Sequence, residues 1–136
     1  MDGNFMDFQL LYRSVSNHSK WHSSDMDILN HAIAANKLAG ISGYLLRDQR
    51  LFYQVLEGSE DRLRLLFARI CRDQRHTDVE CLKFEAVDKP LFADWSMGYQ
   101  VARLSGLAPG GISESPHGPE GDADAIIAQI KRIASH

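Results

Sequence analysis

Apolar positions along the chain fall into two periods, and the switches between them mark the elements. Residues 8–15 (FQLLYRSV) form a short apolar run bounded by the polar SNHSKWHSS, which predicts a strand. Ser23 and Ser24 stand before Asp25 and Asp27, a suitable helix N-terminus, and Ile28, Leu29, Ala32, Ile33 and Ala35 follow at helical spacing until Gly40 closes the helix. Residues 41–47 (ISGYLLR) and 51–57 (LFYQVLE) flank the polar residues 48–50 and read as a β-hairpin. Ser59, Glu60 and Asp61 then open a second helix whose apolar residues Leu63, Leu66, Phe67 and Ile70 recur in steps of three and four. It is expected to end near Arg75 and His76. Strict alternation over 79–87 (VECLKFEAV) and the run 95–101 (WSMGYQV) give two more strands, separated by a turn at Lys89-Pro90.

The order is therefore βαββαββ, an α+β pattern that suits a ferredoxin-like sandwich with both helices on one face of a mixed sheet. Residues 1–104 make up this domain. Residues 105–121 hold five glycines and three prolines and read as a linker. Residues 122–136 carry Ile126, Ile127, Ile130 and Ile133 as a narrow stripe, with Asp122 and Asp124 at the start and Lys131 and Arg132 at the end. This predicts a short amphipathic C-terminal helix, which has to dock to be stable. Its stripe is expected to cover the far face of the sheet or to meet a second subunit.

Composition narrows the function classes. The chain has 136 residues, 44% of them hydrophobic, with Lys+Arg at 15 against Asp+Glu at 18 and a net charge of −3. That balance opposes a nucleic-acid binder built on a broad basic surface. No apolar run is long enough to span a membrane, and the acidic N-terminus does not resemble a secretion signal. A soluble, cytoplasmic, single-domain protein is the expectation. Cys71 and Cys81 are too few for a disulfide framework or a four-cysteine zinc site, and both read as small core or semi-buried residues. The histidines show no metal-ligand spacing; His18 and His22 are four apart, but in a polar loop. Arg62, Arg64, Arg69, Arg72 and Arg75 read as the solvated face of the second helix.

The informative residues are polar ones in apolar places. Asn36 lies within the stripe made by Leu29, Ala32 and Ile33, and Gln54 interrupts the apolar row of Phe52 and Leu56. Tyr12 shares a strand face with Leu10 and Ser14. Each has an ordinary structural reading: an asparagine bonded to backbone, a glutamine on a solvated edge, a core tyrosine with a satisfied hydroxyl. Together, on three consecutive elements, they would form a small polar cluster between helices and sheet, suited to a ligand with several hydrogen-bonding edges and an apolar body.

These residues resemble the BLUF family, flavin-binding sensors of blue light. The likeness runs over residues 8–103, through LLYRS with Tyr12, ANKLAGISGYLL with Asn36, LFYQVLEG with Gln54, RICRDQRH ending at His76, and FADWSMGY with Trp95 and Met97. Each motif alone is weak; Tyr12, Asn36, Gln54 and Trp95 together in order are specific. The resemblance implies non-covalent FAD with its ring between the two helices. Asn36 and Gln54 would bond its polar edge, Tyr12 would bond Gln54 and donate an electron and proton, and Ile28 and Ile70 would clamp the ring. Arg69 and Asp73, one turn apart on the second helix, and His76 match further positions near the ring. The chain departs from the family pattern at Ala35, where a second polar residue is frequent, and at Ser42, where threonine is frequent.

Trp95 and Met97 are two apart and, within a strand, would share a face. They read either as core packing or, by the resemblance, as the relay from Gln54 to the last strand. The implied function is a photoreceptor rather than an enzyme, a homo-oligomer or one passing its signal to an unidentified protein partner, with no nucleic acid or membrane involved. Two alternatives have no photochemistry. A ferredoxin-like binding or interaction module would use the polar cluster only structurally. A phosphate-handling enzyme of the acylphosphatase type would need a glycine-rich loop after the first strand, which SNHSKWHS is not.

Overall fold

The structure is a computed structural model, and it describes residues 7–17, 27, 30, 33–34, 36–37, 40–74, 76–93, 95, 97–104 and 118–135. Five strands, β1 (Asp7–Ser16), β2 (Ser42–Asp48), β3 (Leu51–Gly58), β4 (His76–Val87) and β5 (Gly98–Val101), form one sheet in the order β4-β1-β3-β2-β5. The first four pair antiparallel and β5 adds parallel to β2, so the sheet is mixed. Helix α1 contains the described helical residues 27, 30, 33, 34, 36 and 37; α2 spans Glu60–Arg72 and α3 spans Gly118–Ala134. The α+β, ferredoxin-like arrangement expected from the residue pattern is the one observed.

The sheet is buried on both faces. On the front, Leu10, Tyr12, Leu45, Phe52, Leu56 and Met97 pack under Leu63, Leu66, Phe67 and Ile70 of α2 and Ile33 of α1. On the back, Leu11, Tyr44, Leu46, Tyr53, Val55, Leu82 and Phe92 meet Ala123, Ile126, Ile127 and Ile130 of α3. The isoleucine stripe thus covers the sheet face opposite α1 and α2. Burying one such side chain contributes about 1.5–3 kcal/mol, enough to hold a helix that is unstable in isolation.

Element ends differ from the sequence reading where local backbone overrides periodicity. Helix α2 stops at Arg72 because Asp73 turns extended (φ −73°, ψ 123°), and His76 becomes the first residue of β4. Strand β5 begins only at Gly98, and α3 begins at Gly118, four residues before the expected start. Pro119 is compatible with that first turn, where its missing N–H has no partner to lose. The β2–β3 hairpin turns on two residues, with Gln49 at φ 57°.

Gly43 ties the hairpin to the segment before β5. A Cβ there would lie 2.1 Å from the Val55 carbonyl oxygen, so no other residue fits. The Gly43 N–H donates to the Trp95 carbonyl at 2.9 Å.

The back layer also responds to alkali. Burial pushes the Tyr53 hydroxyl up to about 12 from 10.0, against a smaller opposing pull from Arg13. Lys83 is raised above 10.5: burial alone would lower it, but bonds to Asp124 and Glu85 outweigh that. Both folded values lie above the unfolded ones, so both contributions are complete below about pH 10 and are lost as pH rises through the folded values. Urea unfolding between pH 9 and 12 is expected to show stability falling steadily above about pH 10; a flat profile would contradict this packing.

Candidate functional site

Register brings the three singled-out polar residues together. Tyr12 on β1 is the direct cross-strand partner of Gln54 on β3, and both side chains point to the front face. The Tyr12 hydroxyl donates to Gln54 Oε1. The other end of that amide, Nε2, donates to Met97 Sδ at 3.3 Å. Gln54 is therefore not on a solvated edge: β3 is an inner strand and Gln54 is 3% exposed. Asn36, in α1, is fully buried, and its Oδ1 accepts no hydrogen bond among the described residues, although the residue makes other contacts.

His76 completes one wall. Its Nε2 lies 3.0 Å from the Ile70 carbonyl, which can only accept, so this nitrogen carries the proton. Its Nδ1 then accepts from the Ser14 hydroxyl at 2.6 Å in the neutral ring. The imidazole is held edge-on to Tyr12 and Phe52, with centroids 6.2 Å and 6.3 Å away, while Phe67 of α2 stands 5.9 Å from the Tyr12 ring. Arg47 of β2 is 1% exposed, with its guanidinium 5.0 Å from the centroid of Phe52 and its Nε donating to the Gln49 carbonyl.

Other expected site residues are distributed differently. Ile70 is half-buried over the front cluster. Arg69 faces solvent, and Asp73 caps α2 from outside the helix rather than lying one turn along it. Ile28 lies outside the described residues. Trp95 and Met97 do not share a face, because both precede β5 and the period of two does not govern them. Met97 packs at the front beside Gln54, whereas Trp95 packs at the back, edge-on to Tyr44 at 5.9 Å and 5.0 Å from the Lys131 ammonium of α3.

The arrangement is a buried hydroxyl, a buried amide with distinguishable ends and a buried acceptor, set between apolar walls from two helices. The acceptor at Asn36 suits a planar heterocycle that carries a ring N–H, and Gln54 and Tyr12 suit its neighbouring polar edge. The profile of the BLUF family, described as sensors of blue-light using FAD, matches residues 8–98. The chain belongs to the BLUF family.

BLUF relatives agree in sequence and shape. The photoactivated adenylate cyclase subunit alpha of Euglena gracilis is 32% identical over 91 residues, 65% of this chain and 9% of that protein. The blue light- and temperature-regulated antirepressor BluF of Escherichia coli is 29% identical over 52% of this chain and 17% of its own length. This chain therefore spans less than a fifth of either relative. Among solved structures, the dark state of BlrB, a BLUF protein, superposes with a TM-score of 0.73 at 26% identity, covering 92% of this chain and 97% of that one. The photo-activated state of BlsA gives 0.68 at 34% identity, covering 73% and 72%. As a BLUF domain this belongs to a family of flavin-binding blue-light sensors.

Sequence reasoning overlooked Ser14, Arg47, Gln9 and Glu57. Glu57 is 1% exposed and accepts from the Leu91 N–H (2.9 Å), the Phe92 N–H (2.7 Å) and Gln9 Nε2 (2.8 Å). For Gln9, Arg47 and Glu57, a charged or amide side chain within an inner apolar strand is the available signal, the same one that singled out Gln54.

Proposed function

We propose that the protein is a cytoplasmic blue-light receptor that holds FAD and signals by reversing the hydrogen bonds of Gln54. When bound, the flavin supplies light absorption and an excited ring able to take up an electron and a proton. Asn36, Gln54 and Tyr12 would hold its polar edge, and Ile70 one face. The family description names FAD, whereas a Klebsiella pneumoniae BlrP1 structure was solved with FMN; the ring contacts named here are common to both.

The observation that carries this reading is the chain from the Tyr12 hydroxyl through Gln54 to Met97. Tyr12 is the oxidisable group, and its proton sits on the bond to Gln54 Oε1. A half-turn of the amide, or its tautomer, would present a donor to Tyr12 and an acceptor to Met97. A thioether cannot donate, so the reversed amide loses one contact and the resting arrangement is favoured by it. Output would follow the segment 92–97, which connects Met97 at the front with Phe92 and Trp95 at the back, to α3. From there it would pass to a protein partner or to a second copy of the chain.

Met97→Leu tests this directly. Removing the sulfur takes away the preference for the resting amide, so the light-induced shift should persist while recovery in the dark slows by up to about five-fold, the worth of roughly 1 kcal/mol. Recovery at the wild-type rate or faster would oppose the assignment.

A further inference from the structure

The two cysteines lie at the surface, not in the core, and both face the joint between α2 and β4. Cys71 and Cys81 are exposed free thiols. On α2, the Ile70 carbonyl bonds His76 at the start of β4, while Arg64, seven residues before Cys71 and so two turns away on the same side, lies over the Phe84 ring at 4.7 Å. Cys71 thus sits on the flank of α2 that borders β4, in the stretch of strand between His76 and Phe84. Cys81 falls within that stretch.

Its direction is set by a bulge. Strand β4 pairs Leu11 with Lys83 but Tyr12 with Cys81, so Leu82 is extra. Lys83 and Leu82 both turn to the back, toward Asp124 and the α3 layer. Cys81, opposite Tyr12, is returned to the front face, where α2 lies. Strict alternation would have hidden this. The thiols are also within electrostatic reach: burial raises Cys81 above its ordinary value, a hydrogen bond with the Lys83 backbone lowers it, and the Cys71 thiolate raises it further.

We propose that Cys71 and Cys81 are a redox pair that closes to an intramolecular disulfide when it meets a low-molecular-weight disulfide such as oxidised glutathione. The exposed Cys71 thiolate attacks one glutathione sulfur, releasing one reduced glutathione and leaving a mixed disulfide. The Cys81 thiolate then attacks Cys71 Sγ, forming the protein disulfide and releasing the second glutathione. Two protein thiols are oxidised and one glutathione disulfide is reduced, with the two thiol protons ending on the two glutathiones. Closure brings the two Cα atoms to about 5.5 Å and staples the last turn of α2 to the strand that flanks Tyr12. Reversible disulfides of this kind in reducing compartments are usually regulatory.

The test is incubation of the full chain with oxidised glutathione, followed by intact mass and thiol counting. The wild type is expected to become a monomeric species lighter by two hydrogens, losing both thiols together and regaining them with dithiothreitol. Cys71→Ser and Cys81→Ser should each stop at a single glutathione adduct. Wild-type protein that accumulates glutathione adducts without closing, cross-links only between molecules or stays unmodified would overturn the pair. None of these readouts depends on the flavin or on light.

Discussion

Gln54→Leu is expected to keep the protein folded and flavin-loaded while reducing the light-induced spectral shift to nothing measurable. Leucine is close to glutamine in volume and apolar, so the front core closes around it. What is lost is the amide, which accepts from Tyr12 and donates to Met97. The buried Tyr12 hydroxyl loses its acceptor, at a cost of about 1–3 kcal/mol. The amide whose reversal would change the hydrogen bonds offered to a bound ring and to Tyr12 is gone. Tyr12→Phe is expected to give the same optical result from the other end of the bond, since phenylalanine neither donates a proton nor is readily oxidised. Difference spectra before and after blue illumination check both. A wild-type red shift in Gln54→Leu would remove the amide from the mechanism.

Glu57→Ala is expected to cost the most stability of any single change outside the apolar core. The carboxylate is fully buried and accepts three hydrogen bonds, two of them from the backbone of Leu91 and Phe92. Truncation leaves those donors unmatched at about 1–3 kcal/mol each; partial relaxation brings the expected loss to about 3–5 kcal/mol, readable as a lower urea midpoint. The same bonds fasten the start of the segment that carries Trp95 and Met97. The Glu57→Ala protein should therefore also recover in the dark at an altered rate. A stability loss under about 1 kcal/mol would show that the loop is held otherwise.

How far the sequence discloses this molecule depends on the range of the interactions involved. Period-two and period-3.6 patterns placed the strands and α2, because those patterns record which face is buried. The cluster of Tyr12, Gln54 and Asn36 was legible for the same reason: a polar residue on a buried face needs a partner. Direct pairing of Tyr12 with Gln54 was implied by the family resemblance and not by the residue pattern, since it depends on β3 inserting between β1 and β2. Trp95 and Met97 were misplaced on one face because the backbone is not yet a strand there. The bulge at Leu82 and the extended Asp73 are likewise single-residue backbone choices, and they decide where Cys81 and His76 point. Glu57 was passed over because its partners are backbone N–H groups thirty-four and thirty-five residues away, which no side-chain pattern announces.

The central claim is a reversible, light-driven change in the hydrogen bonds of Gln54, and it is tested most directly by the absorption spectrum of the purified chain, loaded with FAD, in darkness, after blue light and during return to darkness. The expected result is a structured flavin spectrum that moves slightly to the red on illumination, keeps its intensity and reverts fully in the dark. A flavin spectrum that stays unmoved or simply bleaches under blue light, or a chain that takes up no flavin, would contradict the account.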